Sequence, residues 1–170
     1  MTVEIVQGDI TKCDEDIIAH QTNCQGGVGG LASALLPRGS KALEEYEEYC
    51  KQFKDDMKSL FGTVQYVKNN GKIIANCFGQ IYGGSNFSPY NSQFFKNPNE
   101  VYSGLQSALS IVERDAREKN LSVAIPYNIG CGIAGGDWNI VSRIINNIFE
   151  ASPVKCVLYK FNWQIIQFML

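Results

Sequence analysis

The chain has 170 residues, of which 45% are hydrophobic and 19% are charged, and its formal net charge is −2. This composition is typical of one soluble domain with a substantial core, so we expect a single domain over residues 1–170. The absence of a basic excess argues against nonspecific nucleic-acid binding, and no apolar run approaches the roughly 20 residues of a membrane span.

The cysteines and the histidine limit the chemistry that the chain can support. Six cysteines lie far apart and form no Cys-x-x-Cys pair: Cys13, Cys24, Cys50, Cys77, Cys131 and Cys156. No signal peptide is apparent, so we expect reduced thiols and a cytoplasmic location. His20 is the sole histidine, which excludes a multi-histidine metal site. We therefore expect neither a metal nor a cofactor.

The first elements alternate between strands and glycine-rich turns. Residues 3–7 alternate in polarity like a strand, and residues 17–19 predict a buried strand that runs into the polar segment 20–23. Residues 26–30 contain four glycines and form a loop. Residues 31–36 then predict the first turns of a helix.

The middle of the chain predicts a long helix, a hairpin and a loop. Ser40 is a candidate N-cap for a helix whose apolar positions recur at three- and four-residue steps: Leu43, Tyr46, Cys50, Phe53, Met57 and Leu60. Residues 64–67 and 73–78 predict paired strands across an Asn-Asn-Gly turn. Residues 79–97 predict a long aromatic loop, and a loop of that length in a compact domain is more often functional than idle.

The last third contains the stretch with the most specific pattern. Asn99 begins a predicted helix that continues to about Lys119, and residues 121–126 predict a strand buried on both faces. Four glycines follow within seven residues, namely Gly130, Gly132, Gly135 and Gly136. Asp137 is the predicted N-cap of a helix over residues 138–150. A late buried strand is predicted at 154–161, and the apolar residues 163–170 are expected to dock on the domain.

A strand, a glycine loop and a helix N-terminus in succession suit an anion. Glycines allow close backbone approach, amide groups point outward, and the helix dipole favours negative charge. The alternative interpretation is a plain glycine-rich connection. The alternation of strands and helices predicts an α/β domain with helices on both faces of a sheet. Ligands bind beyond the carboxyl ends of strands in such sheets, so the two glycine loops are predicted to flank a diphosphate.

Three segments resemble those of a macrodomain in order and spacing: residues 6–11 (VQGDIT), residues 17–23 (IIAHQTN) with the glycine loop that follows, and residues 129–132 (IGCG). Macrodomains bind ADP-ribose and related nucleotides, and many hydrolyse derivatives of ADP-ribose. The resemblance covers nearly the whole chain. It implies a three-layer α/β/α fold with a mixed, mostly parallel central sheet.

The resemblance also implies roles for matching positions. Asp9 would accept the adenine amino group, although a turn residue after a strand is the alternative interpretation. Asn23 would touch the distal ribose, or else form a turn, and Phe161 would pack on the adenine, or else belong to the core. The ligand-binding residues predicted in this way are Gly8, Asp9, Ile10, Gln21, Thr22, Asn23, Gly29, Gly30, Leu31, Gln80, Ile129, Gly130, Cys131, Gly132, Ile133, Ala134 and Phe161.

Within the superfamily, the pattern resembles the branch that carries histidine where others have a first asparagine. That branch includes terminal ADP-ribose protein glycohydrolases, antitoxins that remove ADP-ribose from DNA, and ADP-ribose 1″-phosphate phosphatases. The glycohydrolases use a lysine and, in some members, an aspartate. Gln80 and Ala134 stand near those positions here, and neither side chain can perform that chemistry.

His20 and Asn23 remain as candidate catalytic residues at the distal ribose. The imidazole would orient water or protonate a leaving oxygen, and the alternative interpretation is a buried histidine bonded to the sheet edge. Cys131 is interpreted as a packing residue rather than a nucleophile. The hypotheses are hydrolysis of a phosphate or ester at the distal ribose, noncatalytic recognition of ADP-ribose, and binding of another NAD-derived nucleotide.

Overall fold

The computed structural model describes residues 3–161. Six strands in this range form one sheet in the order β1-β6-β5-β2-β4-β3. They are β1 (Glu4–Gln7), β2 (Ile17–Asn23), β3 (Val64–Asn69), β4 (Lys72–Gln80), β5 (Val123–Pro126) and β6 (Cys156–Lys160). Every neighbouring pair is parallel except β3 and β4. The predicted mixed, mostly parallel sheet is thus confirmed, and the predicted docking of residues 163–170 lies outside the described residues.

Helices cover both faces of this sheet. They are α1 (Leu31–Leu35), α2 (Lys41–Lys51), α3 (Pro89–Ser92), α4 (Tyr102–Lys119) and α5 (Trp138–Phe149), with 3-10 turns at Ile10–Lys12, Met57–Ser59 and Pro98–Val101. Ile17 and Ala19 of β2 pack towards α4 and α5, whereas Ile18 packs towards α1 and α2. Successive strand side chains point to opposite faces, so one strand contributes to both cores. The three-layer α/β/α prediction is confirmed.

The two helix N-caps and the hairpin turn were predicted correctly from the sequence. Ser40 Oγ accepts the amide of Leu43 at 3.1 Å, and Asp137 Oδ1 accepts the amide of Asn139 at 2.9 Å, so both residues cap helices. Between β3 and β4, Asn70 (φ 50°) and Gly71 (φ 75°) adopt the left-handed pair that a tight hairpin turn requires. No helix within residues 3–161 combines the length and apolar character needed to cross a bilayer.

The helix that begins after Ser40 is shorter than its apolar pattern suggested. It ends at Lys51, and Asp56 has a nonhelical backbone (φ −148°, ψ 57°). Phe53 and Met57 still pack on the core cluster that α2 covers, and Leu60 is buried in it. The apolar spacing therefore reflects burial of an irregular segment rather than a continuous helix, because tertiary packing outweighs helical periodicity here.

The aromatic loop predicted at residues 79–97 is partly regular. Strand β4 continues to Gln80, and α3 occupies the centre of the loop. The side chain of Asn91 is fully buried and holds the loop together. Its Oδ1 accepts the amide of Tyr82 (2.7 Å), while its Nδ2 donates to the carbonyls of Tyr82 (3.0 Å) and Ser85 (2.9 Å). The Asn91 side-chain amide thus supplies hydrogen bonds that regular secondary structure would otherwise provide to this part of the loop.

Candidate functional site

A cleft of about 640 Å³ lies beyond the carboxyl ends of β2, β4, β5 and β6. This is the sheet edge at which ligands bind in open α/β folds. The predicted residues on its lining are His20, Gln21, Gly29, Gly30, Leu31, Gln80, Ile129, Gly130, Gly132, Ile133, Ala134 and Phe161. Ala32, Pro126, Tyr127, Asn128 and Lys160 also line it and were not identified from the sequence.

The loop after β5 is folded so that several of its amides remain available. Its backbone turns through left-handed residues at Asn128 (φ 67°) and Gly130 (φ 71°). The amide of Gly136 closes the loop on the carbonyl of Gly130 at 3.0 Å. A Cβ at Gly136 would lie 2.5 Å from that carbonyl oxygen, whereas a Cβ at Gly132 would meet no atom within 4 Å. Closure therefore requires Gly136, while Gly132 faces open space.

Four backbone amides of this loop are candidates for binding an anion. Those of residues 130, 132, 133 and 134 donate to no acceptor within residues 3–161. The amides of residues 29, 30 and 31 in the opposite loop likewise find no acceptor in the described part of the chain. Successive free N–H groups in a turn make a concave site for an anion. Both loops line the same cleft and carry these candidate donors.

Asn23 shapes the first glycine loop from within. Its Oδ1 accepts the amides of Gln25 (3.0 Å) and Gly27 (3.2 Å), and its Nδ2 donates to the carbonyl of Gly27 (3.1 Å). The hydroxyl of Tyr46 donates to the Asn23 carbonyl at 2.7 Å. The side chain is turned into the loop and is not part of the cleft lining.

His20 lies on the cleft wall although its side chain is almost entirely buried. Only 2% of the residue is exposed, and Nε2 lies 2.6 Å from Asn76 Oδ1. Burial lowers the pKa of His20 to about 4, because desolvation disfavours the charged ring more than the bond to Asn76 favours it. The imidazole is therefore neutral at physiological pH. The side chain is thus buried, as the alternative interpretation had it, and the residue also lies on the cleft lining.

Because His20 is buried, we expect the stability of the protein to depend on pH. Replacement of His20 should remove this dependence. The ring takes up a proton near pH 6.5 in the unfolded chain but only near pH 4 in the folded chain. Its contribution is complete above about pH 6.5 and is lost as the pH falls towards 4, because the unfolded state binds more protons in that window. We expect the free energy of unfolding to fall by about 2–3 kcal/mol more in the wild type than in His20→Gln between about pH 7 and pH 4.5. Urea unfolding at both pH values measures this difference, and parallel pH profiles would contradict it.

Lys160 is the only charged side chain on the cleft lining within the described residues. Its Nζ lies 4.9 Å from the ring centroid of Tyr127, which packs on Trp138 with 4.5 Å between centroids. A cation held over an aromatic face at the mouth of a cleft favours an anionic ligand. The residue was missed because its sequence signal was only its position at the end of the last strand.

The remaining predicted residues lie beside the cleft rather than on its lining. The amide of Gly8 donates to the carbonyl of Lys160 at 3.0 Å, which places residues 8–10 next to the Lys160 end of the cleft. Asp9 Oδ1 accepts the amide (2.9 Å) and hydroxyl (2.7 Å) of Thr11, and Ile10 is buried. Asp9 thus also performs the turn role that was its alternative interpretation.

Thr22 and Cys131 are packed into the protein near the cleft. The buried Thr22 Oγ1 has no hydrogen-bond partner among residues 3–161. Burial, and secondarily Asp137, raises the pKa of Cys131 to about 11. Its sulfur is therefore a protonated thiol at neutral pH, which is unsuited to nucleophilic attack.

Comparisons with known proteins add to this geometry. No family model matches the chain. It is 27% identical over 150 residues to an uncharacterised 17.5 kDa protein in the tk-vs intergenic region of Enterobacteria phage T4, covering 86% of this chain and 89% of that protein. A solved protein of unknown function from Bacteroides thetaiotaomicron has a TM-score of 0.72 at 25% identity, covering 94% of this chain and 98% of that chain.

Two further solved structures are described by their fold or by their bound ligand. A macrodomain protein from Streptomyces coelicolor has a TM-score of 0.67 at 25% identity, covering 92% of this chain and 97% of that chain. Thermosipho africanus DarTG in complex with ADP-ribose has a TM-score of 0.70 at 17% identity, covering 94% of this chain and 41% of that chain. The sheet, the two glycine loops and these likenesses define a macrodomain fold. The likeness to macrodomains that the three sequence segments predicted is thus confirmed at the level of the fold.

Proposed function

We propose that the cleft binds ADP-ribose, either free or as an ADP-ribosyl group attached to another molecule. The observation that carries this proposal is the pair of amide-bearing loops that face one cleft. Two such loops can hold two adjacent phosphates, which one loop alone would not do. The volume of about 640 Å³ falls within the range of about 300–1,000 Å³ that small-molecule pockets span.

The direction of the ligand follows from the two ends of the cleft. The strand order puts Phe161 and Tyr127, which follow β6 and β5, towards the β1 side of the cleft, and Asp9 follows β1. This end would offer aromatic faces and a carboxylate to an adenine ring. At the other end lie His20 and Gln80, which offer polar atoms to the distal ribose. The diphosphate would then span the free amides of residues 130–134, with Lys160 adding one positive charge.

ADP-ribose in the related DarTG structure supports the choice of ligand, since that protein has the same fold. The charge of the cleft supports it as well. No aspartate or glutamate is on the cleft lining within residues 3–161, so the diphosphate would meet no carboxylate there. Binding would gain from Lys160 and the amides without an opposing repulsion.

Noncatalytic recognition is the form of this function that the cleft chemistry favours. By the resemblance, Gln80 and Ala134 stand near the positions where the glycohydrolases carry lysine and aspartate, and the Gln80 Nε2 donates to the carbonyl of Gly84. Neither side chain can act as an acid, a base or a nucleophile. Cys131 is protonated and off the cleft lining, so His20 is the candidate for assisting a reaction at the proposed distal-ribose end.

Hydrolysis of a phosphate or ester at the distal ribose is the second candidate, and His20 is the observation that favours it. A neutral imidazole can accept a hydrogen bond from water and orient it towards the ribose. Its pKa of about 4 means that it would not donate a proton to a leaving oxygen at neutral pH. Of the two roles inferred from the sequence, orientation of water is the one that fits the buried ring.

Calorimetric titration of the purified protein with ADP-ribose tests the proposal. We expect a dissociation constant on the order of micromolar, equivalent to about 8 kcal/mol. AMP should bind at least ~10-fold more weakly, because it lacks the second phosphate and the distal ribose. NAD⁺ serves as a second comparison, since its nicotinamide would occupy the His20 end. Equal affinity for AMP and ADP-ribose, or no binding of ADP-ribose, would overturn the proposal.

A further inference from the structure

A row of three polar side chains crosses the sheet beneath α2. His20 of β2 lies directly opposite Asn76 of β4, and Asn76 lies directly opposite Gln65 of β3. The neighbouring row on the same face is apolar and consists of Ile18, Ile74 and Val67. Polar side chains in such surroundings are costly unless they satisfy one another.

The three side chains form one hydrogen-bonded chain that ends on a backbone carbonyl. His20 Nε2 lies 2.6 Å from Asn76 Oδ1, and Asn76 Nδ2 donates to Gln65 Oε1 at 3.1 Å. Gln65 Nε2 then donates to the carbonyl of Glu45 in α2 at 3.2 Å. Asn76 is fully buried and His20 is 2% exposed, so water does not compete for the contact between them, whereas Gln65 is half-buried.

The carbonyl of Glu45, at the end of this hydrogen-bonded series, determines the direction of every bond in it. A carbonyl oxygen can only accept, so Gln65 must present its NH₂ group to Glu45 and its Oε1 to Asn76. Asn76 must then donate through Nδ2, which leaves its Oδ1 for the imidazole. An oxygen acceptor requires a proton on Nε2. Because the neutral ring carries one proton, Nδ1 is left unprotonated.

We propose that Asn76 and Gln65 are positioning residues that hold His20 in the Nε2–H tautomer, so that Nδ1 serves the cleft as a hydrogen-bond acceptor. His20 Nδ1 bonds to no group within residues 3–161, and His20 lies on the cleft lining. Nδ1 would accept a hydrogen bond from a ribose hydroxyl or from water. The role of Nδ1 in the cleft rests on the proposed ADP-ribose site, whereas the tautomer does not depend on a ligand.

Nuclear magnetic resonance of protein labelled with ¹⁵N-histidine tests the proposal directly. His20 is the only histidine in the chain, so a sample without a histidine tag reports a single ring. In the ligand-free wild type at neutral pH, we expect Nε2 at the shift of a protonated ring nitrogen and Nδ1 at that of an unprotonated one. The reverse pattern, or averaged shifts, would overturn the assignment.

Two substitutions of Gln65, a half-buried residue on the edge strand, separate positioning from general packing. Gln65→Glu still accepts from Asn76, so the wild-type ring shifts should persist. Gln65→Lys offers only donors, which should reverse the Asn76 amide and move the ring shifts towards the Nδ1–H tautomer. Identical spectra in both variants would overturn the proposal. If Gln65→Lys does not fold, Gln65→Leu should give averaged shifts, with the exposed Gln106→Leu as a control that leaves them unchanged.

Addition of ADP-ribose to the labelled wild type then examines the cleft. We expect the Nδ1 shift to change as it accepts a hydrogen bond, while the Nε2 shift stays in place. An unchanged Nδ1 shift at saturation would contradict contact with the ligand. Absence of ADP-ribose binding would overturn the proposed function, but the ligand-free spectra would still decide whether Asn76 and Gln65 set the tautomer.

Discussion

Gly132→Glu is expected to abolish ADP-ribose binding, with a loss of at least ~100-fold in affinity. Residue 132 lies between free amides on the cleft lining, and a Cβ there would meet no atom within 4 Å. The Gly132→Glu variant should therefore fold without strain, but its side chain would fill the proposed diphosphate position. Its charge would also repel the phosphates at short range. Calorimetric titration against the wild type measures the loss.

Two matched variants at the same position separate charge from bulk. Gly132→Ala should bind within a few fold of the wild type, because the added methyl group lies in open space. Gly132→Gln has the size of glutamate without its charge and should lie between the two. Thermal unfolding should be nearly unchanged in all three variants, since residue 132 does not adopt a left-handed backbone. Normal ADP-ribose binding by Gly132→Glu would mean that the diphosphate lies elsewhere.

His20→Ala is expected to abolish phosphate release from ADP-ribose 1″-phosphate if the cleft turns over that substrate. The expected loss is about 10²- to 10⁴-fold in rate, because the imidazole would no longer accept a hydrogen bond from the attacking water and orient it. Affinity for ADP-ribose should remain within a few fold, because the loop amides and Lys160 are untouched. Single-turnover phosphate release and calorimetry on the same samples measure the two effects separately.

Cys131→Ala provides the control for this experiment. Cys131 lies in the loop after β5 but off the cleft lining, and its thiol is protonated at neutral pH. Its replacement should leave turnover unchanged. Unaltered phosphate release in His20→Ala would remove the catalytic role of His20. Absence of phosphate release in the wild type would instead favour recognition without turnover.

Local chemistry made much of the fold predictable. The caps at Ser40 and Asp137 and the turn at Asn70 and Gly71 each depend on a few adjacent residues, and all were confirmed. The loop after β5 was also identifiable, since its glycines mark where backbone must turn sharply. These features are encoded within short segments, so they can be recognised before the tertiary structure is known.

Features that depend on residues distant in the sequence were harder to predict. The apolar spacing after Ser40 suggested a helix as far as Leu60, but the helix ends at Lys51 because the following residues pack without helical backbone. Asn23 matched a ribose-contacting position, yet its side chain bonds within its own loop. Lys160 was missed because its position at the end of a strand does not show which strand ends meet at one edge.

The sequence by itself determined the alternation of strands and helices, the two glycine loops and the likeness of the domain to macrodomains. Only the tertiary structure decided the state of His20. Its pKa and its contact with Asn76 arise from burial and from pairing with a strand more than fifty residues away. Desolvation and cross-strand register are properties of the assembled sheet, and no short segment of the chain contains them.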